Sequence, residues 1–185
     1  VSRQPERLAD APASVYVITN EQIRRSGATN LGEALRDAPN LQVARISAVN
    51  YAITARGFNS AFANKLLVLI DGRTVYTPLF SGVFWDQQDV LLNDVDRIEV
   101  ISGPGATLWG ANAVNGVINI ITRAAQETQG GFASVSGGNF ENHAGFRYGG
   151  TLGEHGHFRA YVKASSLEST KRASGMPALD AWERQ

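Results

Sequence analysis

Apolar residues recur at helical spacing in one short segment near the start of the chain. Four of them lie three or four residues apart, which is the spacing of one helix face: Leu31, Ala34, Leu35 and Ala38. Asn30 is a favourable residue for the position that begins a helix, and Pro39 cannot continue one. The pattern therefore predicts a helix over 31–38 whose apolar face packs into a core.

A shorter helix is predicted just before this one. Thr19 and Gln22 have the spacing of a capping box, in which each side chain binds a backbone N–H of the other residue. Gly27 is typical of the residue that follows a helix end. These signals predict a helix over 21–26, and the β-rich run before it predicts a strand over 14–18.

The strongest local signal is a hairpin centred on Asp71-Gly72. Two β-rich runs, 66–70 and 73–76, flank this dipeptide, and a two-residue Asp-Gly loop is typical of a type I′ turn. Further elements are predicted in the same part of the chain: strands over 41–46, 51–56, 97–101 and 117–122, and a short helix over 86–93. Short helices interspersed among strands predict a compact mixed α+β domain that ends near Arg123.

Beyond Gly130 the pattern changes to long alternating strands. Uncharged residues occupy every second position over 144–152 and over 158–164, and the turn 153–156 separates the two runs. Each run has about ten residues, as a strand of a membrane barrel requires. A half-buried sheet of a soluble protein shows the same alternation, so the pattern alone leaves both explanations open.

The predicted hairpin directs attention to the loops on either side of it. If Asp71-Gly72 forms one end of the hairpin, the loops 57–65 and 77–86 lie at the opposite end. Six aromatic residues fall in these loops or at their borders: Phe58, Phe62, Tyr76, Phe80, Phe84 and Trp85. Such a gathering indicates a recognition surface, and burial in a local core or under another part of the protein is the alternative.

Composition narrows the class of function. The 185 residues carry 17 basic and 17 acidic side chains, so no excess of positive charge points to a nucleic acid partner. There is no cysteine, which excludes disulfides, thiol catalysis and cysteine-ligated zinc. The longest aliphatic runs, 66–70 and 117–121, are far shorter than the roughly 18 residues of a membrane helix. Because Val1 begins no basic and apolar leader, we expect a signal peptide to be absent or already removed.

Two patterns with the look of catalytic or nucleotide-binding motifs fail in detail. The stretch 103–122 has two glycines at the spacing of a phosphate-binding loop, but Ala111 and Asn112 stand where a lysine and a hydroxyl are needed. The sequence has three histidines: His143, His155 and His157. Two of them fall in a turn, and no organised carboxylate partner is evident for a metal. We therefore expect no catalytic residue, no metal site and no cofactor.

Six pieces of the sequence, taken in order, form a longer pattern. They are DAPASVYVIT (10–19), LGEALRDAPNLQV (31–43), TARGF (54–58), LLVLIDGR (66–73), DRIEVISGPGATLWGANAVNGVINIIT (96–122) and the alternating tail. Together they resemble the plug domain of TonB-dependent outer-membrane receptors, followed by the first strands of their barrel. The fifth piece is highly specific because it combines a Gly-Pro turn, a Leu-Trp-Gly corner and a Gly-Val-Ile-Asn-Ile-Ile strand.

The resemblance implies a domain organisation. An N-terminal extension over 1–9 would precede an α+β plug domain over 10–127, a compact mixed sheet with short helices. Residues 128–185 would be the first antiparallel strands of a truncated outer-membrane barrel. The implied location is the bacterial outer membrane, with the plug inside the barrel lumen and the N-terminus on the periplasmic side. The glycines of 103–122 would then shape the corner that turns the last strands of the plug.

The resemblance also implies a function, namely gating and ligand binding in a TonB-dependent transporter. The ligand in this family is most often a ferric siderophore, and the six aromatics with Asn59 are its predicted binding residues. TonB would pair with an extended N-terminal box, of which Val1-Ser2-Arg3 is at most a remnant. A plug-like binding or signalling module without transport is the alternative.

Two positions bear on how a plug is held in its barrel. The family often has an arginine at each of them, and these arginines pair with barrel glutamates. Arg56 occupies the first position and is the predicted plug–barrel lock. Ser102 occupies the second, so this sequence lacks the second arginine of the lock.

Overall fold

The computed structural model describes residues 14–55, 57, 65–77, 79, 82–88, 90–103, 109 and 113–184. These residues form two compact units. The first unit takes in the described residues up to Ala44 together with Tyr51–Thr122, and the second takes in Arg45–Asn50 and the residues from Arg123 onward. The domain limits after residues 9 and 127 stay predictions.

Eleven strands, two α-helices and several short 3-10 turns are formed by the described residues. In chain order the helices and strands are β1 (Ser14–Thr19), α1 (Asn20–Ser26), α2 (Leu31–Ala34), β2 (Leu41–Arg45), β3 (Tyr51–Ala55), β4 (Leu66–Ile70), β5 (Arg73–Thr74), β6 (Val95–Ser102), β7 (Gly116–Thr122), β8 (Gly130–Gly137), β9 (Glu141–Leu152), β10 (Gly156–Leu167) and β11 (Trp182–Arg184). The 3-10 turns are Leu35–Asp37, Trp85–Gln87, Leu92–Asp94 and Ala125–Glu127.

A mixed five-stranded sheet organises the first unit. Its strand order is β1-β6-β7-β4-β5, while β2 and β3 pair separately. β6 lies antiparallel to both β1 and β7, whereas β7 lies parallel to β4. This combination of a mixed sheet with short helices confirms the predicted α+β class.

Apolar side chains cover both faces of that sheet. All five residues of β4 are buried, and because successive strand residues point to opposite faces, β4 contributes to two layers. Val68 and Ile70 pack in the main core with Ile23 and Leu35, while Leu67 and Leu69 pack in a second cluster. Each such buried aliphatic side chain stabilises the unit by roughly 1.5–3 kcal/mol.

The helix signals of the sequence are confirmed. Thr19 caps α1, because its hydroxyl accepts from the Gln22 N–H and the Gln22 side chain accepts from the Thr19 N–H at 2.8 Å. Gly27 follows the helix in the left-handed region, with a φ of 72°. In the second helix the Asn30 side chain accepts from the Glu33 N–H at 3.0 Å.

Two segments predicted to be helices contain 3-10 turns in the structure. The helix predicted over 31–38 is α-helical only to Ala34 and tightens into a 3-10 turn over Leu35–Asp37. Ala38 is extended there, as a residue before proline prefers to be. The helix predicted over 86–93 is wrong, since two separate 3-10 turns occupy this region and the backbone of Leu91 is extended between them.

The hairpin predicted at Asp71-Gly72 is confirmed. β4 and β5 pair antiparallel with Ile70 opposite Arg73. Asp71 and Gly72 have φ values of 49° and 77°, and two positive values are the signature of a type I′ turn. The second strand is shorter than predicted and ends at Thr74.

The second unit is built on an antiparallel sheet with the strand order β11-β10-β9-β8. β9 and β10 are the long alternating runs, and the turn between them falls at 153–155. The large uncharged side chains on one face of β8–β10 are exposed: Val135, Phe146, Tyr148, Leu152 and Val162. Among the described residues no helix is both long and apolar enough to traverse a bilayer.

Candidate functional site

Three of the predicted ligand-binding residues lie in the described part of the first unit. Tyr76 and Phe84 are partly buried. Trp85 is only 9% exposed and belongs to the main core, which also includes Val75 and Val83. The other four predicted residues lie outside the described residues: Phe58, Asn59, Phe62 and Phe80.

A backbone bridge joins the segment that carries Tyr76 to the segment that carries Phe84. Thr77 and Gly82 form a two-residue bridge, with N–H to O distances of 2.9 and 3.3 Å between their backbones. Tyr76 and Val83 adjoin this bridge, so their backbones are also brought together. Leu79, within the loop, is 80% exposed. The structure therefore places Tyr76 and Phe84 on neighbouring segments, while the predicted closeness of the loops 57–65 and 77–86 stays a prediction because most of 57–65 lies outside the described residues.

Trp85 begins a 3-10 turn that the Phe84 carbonyl anchors. This carbonyl accepts from the Gln87 N–H at 3.1 Å and from the Gln88 side-chain amide at 3.3 Å. The turn directs the indole into the core of the unit. Trp85 thus contributes packing, and Tyr76 and Phe84 retain the accessible aromatic surface.

Ser102 is bound within its own unit. It lies at the end of β6, opposite Ser14 of β1 and Gly116 of β7. Its hydroxyl accepts a hydrogen bond from the Asn40 side-chain amide. An uncharged pair therefore occupies the place of one family arginine. Arg56, at the other place, lies outside the described residues.

A charged cluster on β6 was missed by the sequence analysis. Arg97 donates to Glu99 at 2.8 Å and to Asp96 at 2.7 Å. Glu99 also accepts from the Asn119 side-chain amide of β7 at 3.2 Å. Burial acts to lower the pKa of Arg97, but the hydrogen bonds to Glu99 and Asp96 outweigh it, so the pKa is raised. The alternation of RIEVI was a usable signal, because Arg97 and Glu99 must share a face of the strand.

The histidines and carboxylates do not assemble a metal centre in the part of the chain that the structure describes. No group of three or more metal-ligating side chains is found there. His143 and Glu141 share one face of β9, with 3.5 Å between Nε2 and the Glu141 carboxylate. His157 is exposed on β10.

Comparison with known proteins adds to this geometry. The sequence pattern of one family, the TonB-dependent receptor plug domain, matches residues 7–117. The chain belongs to the TonB-dependent receptor plug family. This family is one of outer-membrane receptors, and the match confirms the predicted resemblance.

Two sequence relatives illustrate the range of the family. The vitamin B12 transporter BtuB of Vibrio vulnificus is 31% identical over 160 residues, covering 82% of this chain and 25% of the relative. The iron-regulated outer membrane virulence protein of Vibrio cholerae is 34% identical over 142 residues, covering 74% of this chain and 21% of the relative. The chain therefore spans about a quarter of the length of the relatives that it matches.

Solved structures show the same fold. The siderophore receptor PirA of Pseudomonas aeruginosa superposes with a TM-score of 0.61 at 30% identity, over 86% of this chain and 29% of that one. The ferric-catecholate import receptor Fiu of E. coli gives a TM-score of 0.65 at 25% identity, over 90% of this chain and 23% of that one. The coverage of this chain extends beyond residues 7–117, so the likeness includes part of the antiparallel strands.

Proposed function

We propose that this chain is the plug and the first wall strands of an outer-membrane transporter that imports a ferric siderophore with energy delivered by TonB. The main support for the proposal is that a plug domain and a long antiparallel sheet follow one another in a single chain. A plug-family domain over 7–117 is followed directly by a long antiparallel sheet with one uncharged, exposed face.

The chemistry of β9 and β10 suits a wall that contacts lipid. Uncharged residues occupy one face of both strands, and the charged residues Arg147, Arg159 and Lys163 occupy the other. A charged residue on the lipid face at mid-membrane would cost roughly 2–4 kcal/mol. This distribution supports an outer-membrane location, and the resemblance to the family is the basis for proposing that the N-terminus lies on the periplasmic side.

The aromatic loops are the proposed ligand surface. Tyr76 and Phe84 are the described residues of this surface, and Phe58, Asn59, Phe62 and Phe80 complete it in the proposal. Aromatic rings provide rigid apolar contact area, and tyrosine adds a hydroxyl. Trp85 is buried in the core, so its proposed contribution is to hold the neighbouring Phe84 in place.

The names of relatives support a ferric siderophore as the ligand. PirA is named as a siderophore receptor and Fiu as a ferric-catecholate import receptor, while the Vibrio cholerae relative is named as iron-regulated. Vitamin B12 is the second candidate because the relative from Vibrio vulnificus is named as its transporter. TonB is the proposed partner and would add a strand to the N-terminal segment, which supplies main-chain hydrogen bonds without a deep pocket.

Uptake by the full-length protein tests the proposal. The protein would be expressed in a bacterial strain that lacks its own siderophore and vitamin B12 receptors. We expect uptake of radiolabelled ferric enterobactin that disappears in an otherwise identical strain without TonB. Uptake of vitamin B12 alone would overturn the siderophore assignment. Ligand binding with no uptake of either compound would support a binding or signalling module instead.

A further inference from the structure

The loop between β2 and β3, residues 45–50, is bound by a carboxylate that lies far away in the sequence. Asp180 accepts a hydrogen bond from the Ala48 N–H at 3.0 Å. The same carboxylate accepts from the Thr170 N–H at 2.9 Å and from the Thr170 hydroxyl at 2.6 Å. Ala48 is completely buried, so its N–H depends on this acceptor rather than on water.

The side chain of Arg45 also binds this loop. The Arg45 guanidinium donates to the Ala48 carbonyl at 2.6 Å and to the Ser47 carbonyl at 3.2 Å. It also lies 4.6 Å from the centre of the Phe140 ring, which is a favourable cation–π geometry. Phe140 belongs to the turn between β8 and β9, and its carbonyl accepts from the Glu168 N–H at 2.8 Å. The loop 45–50 is therefore held at the sheet end where β8 and β10 finish.

The segment that presents Asp180, residues 168–181, is braced by its own backbone. The Ala178 N–H donates to the Thr170 carbonyl at 2.7 Å, and the Arg172 N–H donates to the Met176 carbonyl at 2.9 Å. Lys171 and Pro177 form a bridge between its two arms. Such bracing positions the carboxylate before it meets Ala48, which lowers the entropy cost of the contact.

We propose that Asp180 is a latch that couples loop 45–50 to segment 168–181, so that displacement of one releases the other. The hydrogen bonds from Thr170 lower the pKa of Asp180, so the carboxylate stays ionised in more acidic solution than an ordinary aspartate does. The latch itself is independent of the proposed transport. Its role in transport rests on the function proposed above. In that transporter, a movement of segment 168–181 would be passed through Asp180 to loop 45–50.

Hydrogen–deuterium exchange in the full-length protein tests the latch without any ligand. In the variant Asp180→Ala, the amide of Ala48 loses its acceptor, and we expect it to exchange about tenfold faster than in the native protein. Thr170→Val removes one of the bonds that orient the carboxylate and should give a smaller increase. Exchange across β9 and β10 should stay unchanged, which shows that the variants are folded.

Glu183→Ala is the matched control. It truncates a carboxylate close in sequence to Asp180, on a residue that pairs with Ser166 of β10, and it should leave the Ala48 amide protected. The 185 residues contain no cysteine. A second readout is therefore the labelling rate of a thiol introduced by Val49→Cys, in full-length protein without other reactive cysteines, which should be higher with Asp180→Ala than without it. Unchanged Ala48 exchange in Asp180→Ala, or an equal increase in Glu183→Ala, would overturn the latch.

Discussion

The carboxylate of Asp71 lies at the end of β7 and accepts hydrogen bonds from both donors of Thr122. One oxygen accepts from the Thr122 N–H at 2.7 Å and the other from its hydroxyl at 2.9 Å. The Asp71 N–H in turn donates to the Ile120 carbonyl at 2.9 Å. Since β4 and β7 are parallel neighbours, a hairpin turn formed after β4 fixes the end of a strand that follows much later. Asp71 thus serves the local turn and the long-range pairing together.

A double-mutant cycle measures this clamp. Asp71→Asn keeps the size of the side chain and its tolerance of positive φ but removes the charge, and Thr122→Val removes the hydroxyl. We expect each to lower the free energy of unfolding by about 1 kcal/mol, and the double mutant to lose less than the sum. Urea denaturation measures the free energy of unfolding of the native protein, the two single mutants and the double mutant. Strict additivity would show that the two side chains do not act together.

Gly72→Val should destabilise the first unit through its backbone alone. The φ of Gly72 is 77° and a Cβ there would meet no atom within 4 Å, so strain is the only cost. We expect a loss of roughly 1–2 kcal/mol in thermal or urea unfolding. Gly131→Val is the control, because that glycine also has open space but has no positive φ. Equal effects at both sites would contradict the type I′ turn.

Tyr76 and Trp85 should respond differently to truncation. Trp85→Ala opens a cavity in the core and is expected to cost about 3–5 kcal/mol of stability. Tyr76→Ala should change stability far less and should weaken ferric siderophore binding by the full-length receptor. Binding and uptake are compared at equal surface expression, with Trp85→Phe as a conservative packing control. Normal binding and uptake in Tyr76→Ala would remove Tyr76 from the proposed ligand surface.

Arg56→Ala tests the proposed lock in the full-length protein. Because Ser102 is uncharged and bound to Asn40, Arg56 would carry the charge of the lock alone. We expect the variant to fold and to let large antibiotics cross the outer membrane, as judged by growth inhibition. Arg24→Ala, at an exposed position of α1, should leave the barrier intact. A tight barrier in Arg56→Ala would show that the arginine does not hold the plug.

The latch should titrate only in acid. The Thr170 hydrogen bonds lower the folded-state pKa of Asp180 relative to the unfolded chain. Their stabilising contribution is therefore complete above the ordinary aspartate pKa of about 4 and disappears as the pH falls through the lower folded value. Carboxyl carbon NMR of Asp180 measures this midpoint. Thr170→Val should raise it, and an unchanged midpoint would rule out the Thr170 hydroxyl as the cause.

Local features of the fold were predictable because their causes are local. The cap at Thr19, the start at Asn30 and the turn at Asp71-Gly72 depend on residues within a few positions of one another. The pairing of β1 with β6 and the parallel pairing of β4 with β7 depend on distant segments, and no short pattern encodes them. The family was identified from six separate motifs taken together.

The candidate site was predictable only in part. Aromatic content marked Tyr76, Phe84 and Trp85, but it carried no information on which ring faces the core. The 3-10 turn that starts at Trp85 decides this by directing the indole inward. Asp180 carried no signal in the sequence, since it binds the backbone of Ala48, which is far away in the chain, and the backbone and hydroxyl of Thr170, which belong to no recognisable motif.

The strand order of the first sheet also sets when this unit is able to fold. β1 lies at one edge, and its partner β6 and the next strand β7 are among the last parts of the unit to be synthesised. Until residues 95–122 have emerged, β1 and β4 lack the central strands β6 and β7, and only the local pairs β2–β3 and β4–β5 have both of their strands. Non-local pairing of this kind is slow. The main sheet of this unit therefore forms only after nearly the whole of the unit has been synthesised.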